Sequence, residues 1–316
     1  MAIGRSKVAV VGTGSVGAAV AFDLVMNQVC DDLILIDINK EKSWAEATDL
    51  QHSLGYSGSR MKVRAGEYAD CKDADIVVIA AATPYIVGQT RLDMTEKAAG
   101  IMDNIIPSVM ASGFAGIFVV ITNPVDVIAY YVYKLSGLSP NKIIGTGTAL
   151  DSARLKYHFA EVMSVDPQSV HAVCMGEHGD SQVIPWSQIT VGGKKFLDIV
   201  TDNKIRLGEF NISSVTDDIK WTSYRIMNAK GATTFGIAAT TVQIIKAVLR
   251  DENKVIPVST MLQGEYGETE IFAGVPAVLN SQGVKELVEY HLSEEEMREL
   301  KSSINIIRQY NKRLKL

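Results

Sequence analysis

The stretch KVAVVGTGSVGAAVAFDLVMNQVCDDLILID, residues 7–37, decides the fold. Lys7 to Val11 is an apolar run of strand length. It leads into the glycine-rich turn of Gly12, Gly14 and Gly17, and Ser15 to Gln28 then carries apolar residues at helical spacing. Leu33 to Asp37 is a second apolar strand. A strand, a tight turn, a helix and a strand in that order make one parallel crossover unit. The alternation continues outward. Lys42 to Leu54 can be helical, and Met61 to Ala65 and Ile76 to Ala81 are strand-like. Leu92 to Ala111 has a helical pattern, Ile117 to Thr122 is a strand, and Asp126 to Leu135 and Lys142 to Ile144 repeat the pair. The predicted class is α/β with a doubly wound parallel sheet. Near-continuous apolar strands fit a sheet covered on both faces.

The second half changes character. Asp151 to Val162 reads as helix, and Val170 to Cys174 and Gln188 to Val191 as strands. Helices follow over Ile219 to Asn228 and Thr233 to Leu249, then strands over Val255 to Leu262 and Glu270 to Pro276. A terminal helix spans Ser293 to Arg313, with Ser293 and Glu296 at capping-box spacing. The expected organisation is a first domain over residues 1–147, including a loop near 83–92, and an α+β second domain over 148–316.

Composition excludes several functions. The chain has 316 residues, 47% hydrophobic and 21% charged, which is ordinary globular usage. Its formal charge of −5 comes with no basic stripe, so nucleic acid is not an expected partner. A small anion is not excluded, because local arginines can bind one within an acidic protein. Cys30, Cys71 and Cys174 fit no paired-cysteine metal motif, and no metal is expected. Their odd number and the polar start of the chain point to a reducing compartment, the cytoplasm. No apolar run approaches the ~18 residues of a membrane span, so no membrane is expected as a partner.

The glycine turn has a specific chemistry. Missing side chains let main chain approach a pyrophosphate, and the following helix offers unpaired N–H donors. Asp37, at the end of the next strand, can accept hydrogen bonds from ribose hydroxyls and would repel a 2′-phosphate. NAD is therefore the expected cofactor; the alternative is a tight turn without a ligand. Four further features carry chemistry. Asn123 follows the strand IFVV, although Asn-Pro also makes ordinary turns. Asp151 and Arg154 are three apart, on one helix face, as a local ion pair would be. His178 lies between Gly176 and Gly179, in a constrained turn rather than on a helix face. Arg91 ends a glycine-containing loop, where it can be a solvated cation or a charge that closes over a site.

Taken in order, VGTGSVG, LILID, GQTRLD, TNPVD, GTGTALDSAR, GEHGDS and KGATTFGIA strongly resemble the L-lactate dehydrogenase branch of the lactate/malate dehydrogenase family, of bacterial type. The resemblance implies a Rossmann-type NAD domain followed by a substrate domain, acting on a small anionic 2-oxo or 2-hydroxy acid. It implies His178 as acid/base, Asp151 as the partner of its imidazolium, and Arg154 as the carboxylate ligand. It also implies Arg91 as a carbonyl-polarising residue on a mobile loop, Asn123 beside the cofactor and reacting oxygen, and Thr233 in the substrate pocket. A homotetramer is implied as well.

The chain departs from its relatives in two places. The substrate loop reads Tyr85-Ile86-Val87-Gly88-Gln89-Thr90-Arg91. Tyr85 falls at the position that selects the substrate side chain, and no positive charge precedes Arg91 in the loop to meet a second carboxylate. Malate is therefore disfavoured. Pyruvate is the favoured substrate, and Tyr85 and Ile86 leave open a larger apolar one, such as 2-oxoisocaproate or phenylpyruvate. Secondly, relatives activated by fructose-1,6-bisphosphate place a histidine and an arginine where this chain has His171 and Lys156. Lysine binds phosphate without the guanidinium fork. The readings from other classes are an NAD-using glycoside hydrolase and a catalytically silent NAD-binding protein.

Overall fold

The computed structural model describes residues 5–83, 91–203 and 212–314. Its first half alternates as the sequence requires: β1 (Lys7–Val11), α1 (Ser15–Met26), β2 (Asp32–Ile36), α2 (Lys40–Ser57), β3 (Lys62–Ala65), β4 (Ile76–Ile79), α3 (Arg91–Ala111), β5 (Ile117–Val120), α4 (Val125–Ser136) and β6 (Ile143–Gly145). These six strands are parallel and lie in the order β3-β2-β1-β4-β5-β6. This is the doubly wound Rossmann arrangement, and the strand order reverses between β1 and β4. Side chains along β1 alternate between two cores. Val8 and Val10 pack with Val20 and Leu24 of α1, and Ala9 and Val11 with Met102 of α3 and Ile128 of α4.

The second half supplies α5 (Ala149–Met163), β7 (Val170–His171), β8 (Thr190–Val191), β9 (Lys194–Lys195), α6 (Phe196–Asp202), α7 (Ile212–Lys230), α8 (Phe235–Leu249), β10 (Lys254–Gln263), β11 (Thr269–Asn280), β12 (Gly283–Leu287) and α9 (Glu294–Asn311). Strands β10 to β12 extend the parallel sheet as an antiparallel flank, giving nine strands among the described residues. The join is one residue pair, Ser259 of β10 against Gly145 of β6. A Cβ on Gly145 would lie 2.8 Å from that of Ser259, so the close approach requires glycine. Helix α8 packs on α1, and one core runs through both halves.

A separate core holds Phe159, Val170, Cys174, Phe196 and Ile219 beneath the small sheet β7-β8-β9. The strand expected over Val170–Cys174 stops at His171. Beyond it the main chain forms single bridges, Met175 to Val183 and Gly176 to Gly274. Helix α9 starts at the expected cap: Ser293 Oγ accepts from the Glu296 N–H, and Glu296 accepts from the Ser293 N–H. No single helix among the described residues is long and apolar enough to cross a membrane.

Candidate active site

The glycine turn follows β1, beside the point where the strand order reverses. Its three glycines do three different things. Gly12 has φ +96°, and a Cβ there would sit 2.5 Å from the Ala81 main-chain nitrogen. A Cβ on Gly17 would lie 1.9 Å from the Gly12 carbonyl oxygen, so Gly17 seats α1 against β1. A Cβ on Gly14 would meet nothing within 4 Å, which leaves open space at the helix start. Gly14 caps α1 without a side-chain hydrogen bond, and its first N–H groups stand ready for an anion.

Asp37 closes the turn from the end of β2. Its Oδ2 accepts from the Thr13 N–H at 2.7 Å and the Thr13 hydroxyl at 3.0 Å, and its Oδ1 accepts from the Asn39 N–H at 2.9 Å. Burial works against its charge, but these donors outweigh it and hold the carboxyl below its ordinary range. A carboxylate has about four acceptor sites. Capacity therefore remains on Oδ1 for a ribose hydroxyl. Open main chain at Gly14, an uncapped helix start and an ionised Asp37 fit a dinucleotide.

The acid/base candidates meet around α5. Asp151, in its first turn, is buried and serves two partners. His178 Nδ1 lies 2.6 Å from its Oδ2, and Arg154 Nη1 donates to its Oδ1 at 2.8 Å. The His178 side chain keeps 23% of its surface exposed and that of Arg154 keeps 11%. Burial pulls the His178 pKa down, but the Asp151 carboxylate outweighs it and the net shift is upward. Burial likewise opposes the charge of Asp151, and His178 and Arg154 hold its carboxyl below its ordinary value. The triad therefore rests as carboxylate, guanidinium and readily protonated imidazole. With Nδ1 turned to Asp151, Nε2 is the free ring nitrogen.

Local hydrogen bonds explain why His178 meets Asp151. Thr148 Oγ1 donates to the Cys174 carbonyl at 2.6 Å, and Ser152 Oγ accepts the Cys174 N–H at 2.8 Å. Together they clamp the chain before His178 to the start of α5. Gly176 bonds Gly274 in both directions at 2.8 Å. Ser303 of α9 accepts the Glu177 N–H at 2.8 Å, and Ser181 bonds the Glu177 carboxylate. Asp126, in the first turn of α4, accepts the His178 N–H on Oδ2 at 2.8 Å. The sequence reading quoted TNPVD without giving Asp126 a role. Its signal was an acid in an otherwise apolar helix start, VDVIAYYVY.

Asn123 follows β5 at the carboxyl edge, exposed, with a cis bond to Pro124. The neighbouring Thr122 hydroxyl donates to the Ala81 carbonyl at 2.9 Å, tying the ends of β5 and β4 together. Thr233 lies half-buried between α7 and α8. Tyr85 and Ile86 lie outside the described residues, and Arg91 is placed only as the first residue of α3. His171 is exposed on β7 and Lys156 half-buried on α5. Burial, then Lys254, pushes the Lys156 amine below its ordinary pKa, and no hydrogen bond joins it to His171. The structure brings together Asp151, Arg154 and His178 directly, and the glycine turn with Asp37; it does not join His171 to Lys156.

Comparison with known proteins places this geometry. Residues 6–145 match the sequence model of the lactate/malate dehydrogenase NAD binding domain, and residues 148–314 that of the lactate/malate dehydrogenase alpha/beta C-terminal domain. The chain is 45% identical over 306 residues to L-lactate dehydrogenase 3 of Bacillus cereus, covering 97% of each. It is 42% identical, with the same coverage, to L-lactate dehydrogenase 2 of Bacillus anthracis. Among solved structures, the minor L-lactate dehydrogenase of Enterococcus mundtii in its ligand-bound form superimposes with a TM-score of 0.95, at 40% identity and 99% coverage of both chains. A lactate dehydrogenase from a Medee basin deep-sea metagenome gives 0.93 at 39% identity, covering 97% of this chain and 98% of that one.

Proposed function

Since the chain belongs to the lactate/malate dehydrogenase family, we infer that it is an NAD-dependent L-lactate dehydrogenase, interconverting pyruvate and L-lactate. The observation that carries the assignment of roles is the buried Asp151 carboxylate, with His178 and Arg154 each within hydrogen-bond distance of one of its oxygens. Gly12, Gly14, Gly17 and Asp37 would hold the NAD, with Asn123 at its reacting end. Bound there, the nicotinamide supplies or accepts the hydride. Reduction of a ketone builds negative charge on the carbonyl oxygen, so a proton donor and a nearby cation lower the barrier. His178 gives its Nε2 proton to that oxygen, while Asp151 holds the imidazolium through Nδ1; in the reverse direction Nε2 takes the proton back. Arg154 would bind the substrate carboxylate as a planar fork, fixing the carbonyl beside His178. Arg91 would polarise the same carbonyl, and Thr233 would line the pocket.

Relatives named as L-lactate dehydrogenases favour lactate over the broader apolar substrates and over glycoside hydrolysis. NADH absorbance assays with pyruvate, 2-oxoisocaproate, phenylpyruvate and oxaloacetate test this. Pyruvate is expected to have the highest kcat/KM; a preference for phenylpyruvate would assign Tyr85 and Ile86 to a larger pocket. A homotetramer in the cytoplasm belongs to the same proposal, and the three unpaired cysteines support the reducing location. Activation by fructose-1,6-bisphosphate at His171 and Lys156 is its regulatory part, supported by the exposed imidazole. Unchanged kinetics and mass on adding the sugar bisphosphate would remove it.

A further inference from the structure

Helix α9 meets the histidine loop with one face. Glu296, Leu300, Ser303 and Ile307 recur at helical spacing, so they share that face, and all four are buried. Leu300 and Ile307 pack in one core with Met175. The two polar residues grip the main chain at separate points. Glu296 accepts the Ser187 N–H at 2.9 Å and the Ser187 hydroxyl at 2.8 Å. Ser303 works at the other end, beside His178. Its Oγ accepts the N–H of Glu177, 126 residues earlier in the chain, at 2.8 Å and lies 3.1 Å from Ser181 Oγ. The Ser181 hydroxyl donates to the Glu177 carboxylate, so the Ser303 hydroxyl is left to donate to Ser181. The Glu177 N–H, Ser303, Ser181 and the Glu177 carboxylate thus close a ring of hydrogen bonds that runs in one direction. Gly176 makes room for it: a Cβ there would run into the Ser303 side chain.

We propose that Ser303 is a positioning residue for His178: from the terminal helix it holds the main chain that carries the imidazole. The proposal rests on His178 being the acid/base group. The contact of Nδ1 with Asp151 fixes one atom of the imidazole. A side chain held at one atom can still pivot about it, so the direction of Nε2 is settled only when the Cα is held as well. Glu177 is the residue before that Cα, and Ser303 holds it from both its N–H and, through Ser181, its carboxylate. Thr148 and Ser152 act further back, on Cys174. Glu296 grips well beyond His178 and has a different duty, the docking of α9 itself. The one helix therefore offers two grips of similar chemistry, of which one reaches the reacting residue.

Ser303→Ala deletes the acceptor of the Glu177 N–H and opens the ring, whereas Glu296→Gln weakens the other grip of the same helix. In pyruvate reduction Ser303→Ala should lower kcat about tenfold, since small misplacements of a reacting group are costly, and leave the Kd for NADH unchanged. Glu296→Gln should lower the melting temperature and keep the wild-type kcat. Ser181→Ala opens the ring from the loop side and should lower kcat likewise; it keeps the test alive if Ser303→Ala does not fold. Because both act on one ring, the double variant should be little worse than either alone. The readout that needs no turnover is the rate of histidine modification by diethyl pyrocarbonate at a fixed pH, with His178→Gln giving the background of the other histidines. A His178 ring loosened from Asp151 should react several-fold faster in Ser303→Ala and at the wild-type rate in Glu296→Gln. Wild-type kcat and modification rate in Ser303→Ala, or equal losses in Ser303→Ala and Glu296→Gln, would overturn the proposal. A wild type that leaves pyruvate untouched, with the modification still faster in Ser303→Ala, would sink the dehydrogenase reading and leave the hold of Ser303 on His178 standing.

Discussion

The glycine turn after β1 and the loop around His178, the two halves of the proposed site, are built in opposite ways. The turn works through main chain. Its shape is set within residues 12–17, where contacts of 1.9 and 2.5 Å would forbid a Cβ at Gly17 and Gly12. The histidine loop works through side chains gathered from far apart: Asp126 lies 52 residues before His178 and Asp151 lies 27 before it. Thr148 and Ser152 at the start of α5 and Ser303 of α9 anchor the loop from both sides. The difference separates binding from chemistry. Cofactor binding should survive damage to the histidine loop, and proton transfer should not.

The largest expected effect breaks the second region alone. His178→Ala should lower kcat for pyruvate reduction by about 10²–10⁴-fold, the usual contribution of general acid catalysis. NADH binding, followed by fluorescence, should stay within a few-fold of the wild type. A variant that still turns over would remove His178 as the proton donor. Arg154→Lys comes next. Losing the planar fork costs one charge-assisted hydrogen bond, about 1.5–3 kcal/mol, so the KM for pyruvate should rise roughly 10–100-fold despite the retained charge. Near-normal kinetics would count against carboxylate binding by Arg154.

The smallest effect sharpens the first region. Gly14→Ala adds a methyl to open space and should melt like the wild type while weakening NADH. Gly17→Ala drives a methyl into the Gly12 carbonyl, and strain of this kind costs about 1–3 kcal/mol or more, so its melting temperature should drop. Equal melting of the two variants would show that the glycines are interchangeable turn formers.

Legibility followed the same division. Gly12, Gly14, Gly17 and Asp37 were readable because their interactions are short-range and each strand around them is uniformly apolar. The α9 cap was readable for the same reason: Ser293 and Glu296 are three residues apart. The roles proposed for Asp151, Arg154 and His178 needed the ordered family motifs, since each alone reads as a local ion pair or a turn histidine. Asp126 was missed because an acid in the first turn of a helix ordinarily just complements the helix dipole; only the folded chain turns it towards His178. Nor does local sequence announce that Ser259 meets Gly145, because that contact depends on the whole sheet being assembled.

Proton transfer by His178 is tested most directly by the pH dependence of kcat/KM in both directions. Burial lowers the His178 pKa and Asp151 raises it further, leaving it above its ordinary value. Pyruvate reduction needs the protonated ring, so its kcat/KM should be level at low pH and fall about tenfold per unit above that pKa. Lactate oxidation needs the neutral ring and should fall about tenfold per unit below the same pKa. Mirror-image limbs sharing a midpoint above the ordinary histidine value are the predicted result; limbs that run in the same direction, or a shared midpoint below that value, would contradict it.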